Sequence, residues 1–255
     1  MNRSKFYASL GKQNQQQVDG QEAILNEAER RGASLQLTAY ALATAKHETG
    51  NTFKPIEENL YYTTPERIRA VWPKRFPTVE SAVPYLRNPR PLANKVYGNR
   101  EDLGNGGGDD GYNYRGRGLP QVTGKANYAK WGLTSNPGDA LKMPVAVRIL
   151  FDGLEKGMFT GRKASGFKDY KSMRAAVNGD GSLNGATVAA YADAYERALR
   201  AAGYSASKVP VGVPEIVGAG AVITAAETSG TSSWWLIGIV VLVAVGITIV
   251  RLNRK

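Results

Sequence analysis

Helix-forming segments, separated by glycine and proline, make up most of the first 204 residues. Residues 15–31 and 35–47 are rich in Ala, Leu and Glu, and Gly32 can end the first helix while Ser34 caps the second. No run of five or more residues alternates between apolar and polar side chains, so a hairpin near residues 112–122 would be the largest β element. This pattern predicts a mainly α domain with at most a small β-hairpin.

Further helix boundaries follow from capping residues and proline. Thr64-Pro65-Glu66 combines an N-cap with proline at the first helical position, and that helix should stop by Pro73. Thr78 can cap the next helix, and another should start over residues 91–97. Residues 186–202 form the last predicted helix of this part of the chain. Its apolar side chains recur at helical spacing, at Val188, Tyr191, Ala192, Tyr195 and Leu199.

The C-terminal end has a different composition. No charged residue occurs from Thr228 to Val250. A helix over the last 17 of these residues would span about 25 Å, and the preceding Ser and Thr extend it towards the roughly 30 Å core of a bilayer. Trp234 and Trp235 suit one membrane interface, and the basic residues after 250 suit the other. A buried core helix is the alternative, but such helices usually keep a polar face.

Three segments are therefore expected: a helical domain over residues 1–204, a linker over 205–231 and a single transmembrane helix with a basic tail over 232–255. The linker is rich in Gly, Ala, Val and Pro, and Pro210 and Pro214 would break a helix there.

The amino-acid composition excludes several kinds of catalytic and metal-binding site. The chain has no cysteine, which excludes disulfides, zinc–thiolate sites and a cysteine nucleophile, and its single histidine, His47, excludes a two-histidine zinc motif. We expect neither a metal nor a cofactor. The net charge of +11, of which +9 lies in the first 204 residues, favours a polyanionic partner. Nucleic acid, an anionic membrane and an anionic cell-wall polymer would all satisfy the charge, which does not choose among them.

Two glutamates are candidates for acid–base chemistry. An Ala-rich helix runs into His47-Glu48-Thr49-Gly50, which would bring Glu48 to the edge of a cleft with apolar walls, where a carboxyl can act as a general acid. The pair Glu57-Glu58 supplies a second carboxylate ten residues later. Glycoside hydrolysis uses one proton donor and one carboxylate that acts on water or on the anomeric carbon. A solvated helix end and a charged turn are the alternatives for the two positions.

A third segment, residues 109–128, combines Gly with Tyr, Arg, Gln, Thr and Asn. Glycine allows a ligand to approach the backbone, and the other residues offer a stacking face and neutral donors for sugar hydroxyls and acetamides. A phosphate-binding loop would require Gly-Lys-Ser/Thr, whereas the chain has Gly124-Lys125-Ala126. An RNA-binding box would need more than Arg115 and Arg117.

These blocks together resemble glycoside hydrolase family 19, and its phage endolysin branch more closely than the plant chitinases. The resemblance covers roughly residues 35–199, with all blocks in order. The blocks are His47-Glu48-Thr49-Gly50, Glu58-Asn59-Leu60, residues 92–100, residues 114–128 and Val177-Asn178-Gly179.

The resemblance implies a lysozyme-like helical fold and an inverting cut of a β-1,4 bond next to an N-acetylated sugar. It makes Glu48 the general acid, Glu58 the carboxylate that activates water, and Thr123 a residue that holds this water. The segment between the two glutamates is one residue longer than the usual endolysin pattern, so Glu57 is a rival to Glu58. Pro120 stands where isoleucine is usual. The implied substrate-binding residues are His47, Tyr114, Arg117, Gln121, Asn127 and Asn178.

The expected function is that of a lysozyme-type (muramidase) peptidoglycan hydrolase. Its expected partners are peptidoglycan glycan strands, a membrane bound through the C-terminal helix, and other phage virion proteins; nucleic acid is not expected. A chitinase of the same family is the nearest alternative, disfavoured because the cysteines of the plant enzymes are missing. A non-catalytic structural membrane protein on the same fold is the other, disfavoured because Glu48 and Glu58 are both present.

Two features of the sequence give opposite expectations for the side of the membrane on which the helical domain lies. Arg251, Arg254 and Lys255 favour the cytoplasmic side, which places the helical domain on the wall side of the membrane. The N-terminal residues, however, lack the apolar core of a secretory signal. One solution is a protein carried in a phage particle, in its membrane, that meets peptidoglycan during genome entry. The other is an endolysin held at the host inner membrane until lysis.

Overall fold

A computed structural model describes residues 1–206 of the chain. The described part is mainly α-helical, as predicted. Its α-helices are α1 (Arg3–Leu10), α2 (Gln15–Arg31), α3 (Leu35–Glu48), α4 (Pro65–Val71), α5 (Pro89–Tyr97), α6 (Asp110–Asn113), α7 (Lys125–Lys130), α8 (Met143–Lys156), α9 (Tyr170–Met173), α10 (Ala175–Asn178) and α11 (Gly185–Ala201). Short 3₁₀ helices cover Glu80–Tyr85, Glu101–Leu103, Pro137–Leu141 and Ala164–Gly166.

The predicted boundaries of α2 and α3 are confirmed by their caps. Gly32 ends α2 in the left-handed conformation, with φ of 64°. The Ser34 hydroxyl accepts a hydrogen bond from the backbone N–H of Leu37 at 3.1 Å, which satisfies a free donor at the start of α3. Local contacts of this kind depend on neighbouring residues alone, which is why the sequence predicted them.

The predicted start of α4 is confirmed without its capping hydrogen bond, and two further boundary predictions need correction. The Thr64 side chain makes no capping hydrogen bond, although α4 does begin at Pro65. The Thr78 hydroxyl accepts a hydrogen bond from the backbone N–H of Ser81 at 3.2 Å, as a cap would. The helix that follows is a 3₁₀ helix, however, and it contains Pro84. Proline has no N–H to donate, so an α-helical hydrogen bond is missing there. The next helix, α5, begins at Pro89, two residues before its predicted start.

The β structure joins segments that are distant in sequence. Strand β1 (Ile56–Glu57) pairs antiparallel with β2 (Arg117–Gly118), so that Glu57 lies opposite Arg117. The predicted hairpin is present only as one bridge, in which Arg117 and Val122 exchange backbone hydrogen bonds of 3.1 and 2.9 Å. The hairpin prediction is therefore wrong. The main partner of β2 is β1, which lies about 60 residues earlier in the chain.

Helix α3 runs through the largest core. Every residue from 38 to 45 is buried, and α3 packs against α2, α8 and α11. A second core is formed by residues between 60 and 103, and a third by residues between 114 and 149. The C-terminal end of α3 thus belongs to the large core, whereas α5 belongs to the second one. This separation places Glu48 and Tyr97 in different parts of the structure.

The predicted transmembrane helix over 232–255 and almost all of the predicted linker over 205–231 lie outside the described residues. Among residues 1–206, no helix is long and apolar enough to span a bilayer. The division of the chain near residue 204 stays a prediction.

Candidate active site

Glu58 follows strand β1 and is held at both carboxylate oxygens. Its Oε1 accepts a hydrogen bond from the Tyr97 hydroxyl at 2.6 Å, and its Oε2 accepts one from the backbone N–H of Gly116 at 3.2 Å. Its own backbone N–H donates to the Gly116 carbonyl at 2.8 Å. The carboxylate is therefore oriented by one residue of α5 and by the segment that leads into β2.

Burial has the largest effect on the Glu58 carboxyl and raises its pKa above the ordinary glutamate value. The hydrogen bonds from Tyr97 and Gly116 work in the opposite direction, because they stabilise the ionised form. Glu58 as a whole keeps partial exposure, so the carboxyl lies among protein atoms without being sealed from the surface. A carboxylate with a raised pKa is a stronger base once it is ionised.

Gly116 lets three predicted site residues approach one another. A Cβ atom built on Gly116 would lie 3.0 Å from Gln121 Oε1, 3.3 Å from Thr123 Oγ1 and 3.4 Å from Glu58 Cβ. Any side chain at this position would push these groups apart. The structure thus brings Glu58, Thr123 and Gln121 close together, and their action on one water and one sugar stays a prediction.

Gln121 has a further structural task. It adopts a left-handed backbone conformation with φ of 55°, which is uncommon for a residue with a side chain. Its side-chain amide donates to the carbonyls of Ile56 at 3.0 Å and of Gly118 at 2.9 Å. These bonds tie β1 to β2, so Gln121 helps to position Glu58.

Glu57 occupies a different environment from Glu58. Its Oε1 accepts from Arg117 Nε at 2.6 Å, and its Oε2 lies 2.7 Å from Arg115 Nη2. Partial burial tends to raise the pKa of Glu57, but the hydrogen bonds from the two arginines prevail and hold it below the ordinary value. Both of its oxygens are engaged in ion pairs, whereas Glu58 faces Gly116, Thr123 and Gln121. The geometry therefore favours Glu58 over Glu57 as the second carboxylate.

Glu48, the last residue of α3, is 2% exposed. Its surroundings are not the purely apolar wall that the sequence predicted, because Arg174 Nη2 lies 2.7 Å from its Oε1. Arg174 was not among the predicted site residues. Its only signal in the sequence is that a lone arginine precedes the apolar run Ala175-Ala176-Val177, where an exposed charge would be unusual.

No hydrogen bond or ion pair between described residues joins Glu48 to Glu58. Glu48 is anchored in the large core, and Glu58 is bound to Tyr97 of the second core. Thr49 fixes the start of the connecting segment, since its hydroxyl accepts from the backbone N–H of Phe53 at 2.9 Å. The two carboxylates are thus held by separate elements, as an acid and a base on opposite sides of a bond would require.

The polar atoms of two predicted substrate-binding residues are largely engaged within the protein. Tyr114 is buried in the third core, and its hydroxyl donates to the Thr134 carbonyl at 3.1 Å. Arg117 is 5% exposed and, besides Glu57, donates to the Asn113 carbonyl at 2.6 Å. Direct sugar contacts by these two residues stay predictions; their visible role is to build the segment that carries Gln121 and Thr123.

The remaining predicted binding residues are partly exposed. Burial lowers the pKa of His47 below its ordinary value, so its imidazole is neutral at pH 7. Asn127 donates to the Thr123 carbonyl at 2.7 Å, which places it beside the predicted water-holding residue. Asn178 accepts from the backbone N–H of Asp180 at 3.0 Å. Within residues 1–206, no group of three His, Asp or Glu side chains could hold a metal ion.

The fold and site describe a mainly α-helical protein with one buried glutamate, Glu48, and one partly exposed glutamate, Glu58, on separate elements. No protein-family model matches the chain. It is similar to a glycosyl hydrolase family 19 domain-containing protein of Haemophilus influenzae, with 40% identity over 114 residues. The match covers 43% of this chain and 56% of that protein, so the chain spans about half the length of the curated relative. The similarity supports family 19 and a glycoside hydrolase.

Proposed function

We propose that the chain hydrolyses the β-1,4 glycosidic bond of bacterial peptidoglycan by an inverting two-carboxylate mechanism. The observation that carries this proposal is the arrangement of Glu58, held by Tyr97 and Gly116, beside the hydroxyl of Thr123. A base with a neighbouring hydroxyl is what is needed to orient and deprotonate one water molecule.

In the proposed reaction, Glu48 donates its proton to the glycosidic oxygen as the C1–O bond breaks. Thr123 donates its hydroxyl hydrogen to the Gln121 carbonyl at 3.2 Å, which leaves its lone pairs to accept a hydrogen bond from water. Glu58 takes a proton from this water, whose oxygen forms the new bond to C1 from the opposite face. The products are two shorter glycans, with Glu58 protonated and Glu48 ionised until solvent restores both.

The charge distribution supports peptidoglycan over chitin as the substrate. Residues 61–100 carry eight basic and two acidic side chains, and this segment contributes most of the second core, including Tyr97. Chitin is uncharged, whereas the stem peptides of peptidoglycan bear carboxylates. A basic segment that contains Tyr97, the hydrogen-bond partner of Glu58, therefore favours the second polymer.

Digestion of purified bacterial sacculi tests this proposal. We expect new reducing ends in the mass spectra of the products, and proton NMR of the fresh product should show the α-anomer first, since an inverting enzyme converts a β bond to an α end. Chitin oligosaccharides are the parallel substrate, and faster cleavage of these would favour the chitinase alternative. An initial β-anomer, or a 1,6-anhydro end, would overturn the inverting mechanism.

Replacing Tyr97 by Phe is expected to move the acid limb of the pH profile of kcat/KM to higher pH. Loss of the hydroxyl removes a hydrogen bond that lowers the pKa of Glu58, so that pKa rises further. As a base, Glu58 acts only when ionised, so activity is lost at a higher pH as the pH falls. Tyr204→Phe is the control, because it removes a hydroxyl that donates to the Ala33 carbonyl far from Glu58. An acid limb that stays in place in Tyr97→Phe would contradict the assigned role.

We further propose that residues 232–255 anchor the protein in a membrane, with the helical domain on the wall side, and that the protein is carried in phage particles. The uncharged stretch from Thr228 to Val250 and the basic residues after it support the anchor. Western blots and zymograms of gradient-purified particles should detect the protein and its activity. Its complete absence from particles would leave host lysis as the better account.

A further inference from the structure

A fully buried cation lies behind the proposed general acid. Arg174, between α9 and α10, is 0% exposed, and its Nη2 is 2.7 Å from Glu48 Oε1. Arg174 therefore contacts the acid from the protein interior and has no route to the substrate.

Other polar groups surround this pair without hydrogen-bond partners among residues 1–206. On α3, the Tyr40 hydroxyl and Thr44 Oγ1 precede Glu48 by two turns and one turn, and both are fully buried. Asn178 Nδ2 follows Arg174 by one turn of helix. Burial raises the pKa of the Tyr40 hydroxyl. The charges of Arg174 and Glu48 both act on this hydroxyl. The Tyr40 hydroxyl therefore lies near both charges, between α3 and the α9–α10 segment.

Arg174 and Glu48 are in ion contact through a single carboxylate oxygen, without a hydrogen bond. None of the three guanidinium nitrogens of Arg174 has hydrogen-bond geometry towards a described residue, so the pair is an ion contact and not a bidentate fork. Oε1 of Glu48 is fully buried and accepts no hydrogen bond, whereas Oε2 is not among the buried atoms that lack a partner. This leaves Oε2 as the oxygen that can carry the transferable proton.

A buried ion pair contributes little to stability compared with apolar residues of the same volume, because both charges lose their hydration. Stability alone therefore does not account for a buried arginine among so many unpartnered polar groups. A catalytic carboxyl, in contrast, must keep one oxygen at a defined place, and a misplacement of about 1 Å can cost about a hundredfold in rate.

We propose that Arg174 is a positioning residue that holds Oε1 of Glu48 and thereby directs Oε2 towards the glycosidic oxygen. This inference rests on the proposed function, in which Glu48 is the general acid.

The first test compares the kinetics of Arg174→Met, Arg174→Lys and Arg31→Met on soluble peptidoglycan fragments. Arg174→Met should lower kcat about a hundredfold with KM nearly unchanged, since only the acid is displaced. Arg174→Lys keeps the charge and should recover part of kcat. Arg31 pairs with Asp152 and Glu155, each at 2.7 Å and on α8, so Arg31→Met breaks another internal ion pair and should leave kcat unchanged. Equal kcat losses in Arg174→Met and Arg31→Met would overturn the proposal.

The second test needs no activity and is a double-mutant cycle on the unfolding temperature. Arg174→Met alone leaves a buried carboxylate unpaired and should lower Tm by roughly 10 °C. In the Glu48→Gln background the same substitution should cost much less, because no charge remains to be compensated. Additive effects would overturn the pairing. If the pair is coupled in Tm but the native chain cleaves no glycan, the proposed function fails while the contact stands. If Arg174→Met does not fold, Arg174→Gln, which also removes the charge, takes its place in both tests.

Discussion

Glu48→Gln is expected to lower kcat for peptidoglycan by about 10²- to 10⁴-fold, the range typical for loss of a general acid. The amide keeps the size of the side chain but has no proton to donate to the leaving oxygen. Because Glu48 is 2% exposed and held against Arg174, no water molecule can easily take over the donation. Rates should be measured at a temperature well below the Tm of the variant.

The same substitution should also lower stability, because Arg174 loses the charge it faces. Breaking one side of a buried ion pair costs about 3–5 kcal/mol. The Arg31→Met variant separates the two effects, since it lowers stability and leaves the two glutamates intact. A Glu48→Gln protein that folds and retains nearly full activity would show that Glu48 is not the acid.

Glu58→Gln is expected to reduce kcat to a similar extent, while Glu57→Gln should retain most of the activity at low temperature. Glu58 and Thr123 both lie against Gly116, and in the proposed mechanism no other base accepts the proton from water. Glu57 is bound by Arg115 and Arg117, whose side chains are 10% and 7% exposed. Its neutralisation leaves two nearly buried guanidinium groups without a counter-charge, so Glu57→Gln should lower Tm. An inactive Glu57→Gln protein beside an active Glu58→Gln protein would reverse the assignment.

The stability of Glu58→Gln has a predicted pH dependence. Burial raises the folded-state pKa of Glu58 above its unfolded value, so the folded protein binds a proton more readily. Ionisation of Glu58 therefore destabilises the fold as the pH rises through these two pKa values, and the cost is complete above the folded one. Gln cannot ionise, so Glu58→Gln should have a higher Tm than the native protein at pH 7. The difference should vanish below about pH 4, near the unfolded pKa of glutamate.

Many helices were predictable because their signals are local. The ends of α2 and α3 depend on Gly32 and Ser34, which interact with residues at most five positions away. Helices α1 and α8 were not predicted, although α8 has proline in its first turn and Gly157 in the left-handed conformation after its end. Glu58, Gln121 and Thr123 also come together around Gly116, while their roles in one site stay predictions.

The sequence by itself determined the helical class, the main helix caps and the pair of candidate glutamates, because caps and helical periodicity depend on near neighbours. The family resemblance favoured Glu58 and left Glu57 as a rival, although adjacent residues of an extended segment point to opposite sides. Only the tertiary structure decided that the two glutamates have different surroundings, by bringing Arg117 to Glu57 from 60 residues away and Tyr97 to Glu58 from 39. The same holds for Arg174, which contacts Glu48 across the core. Such contacts depend on how distant elements pack, and no local pattern encodes them.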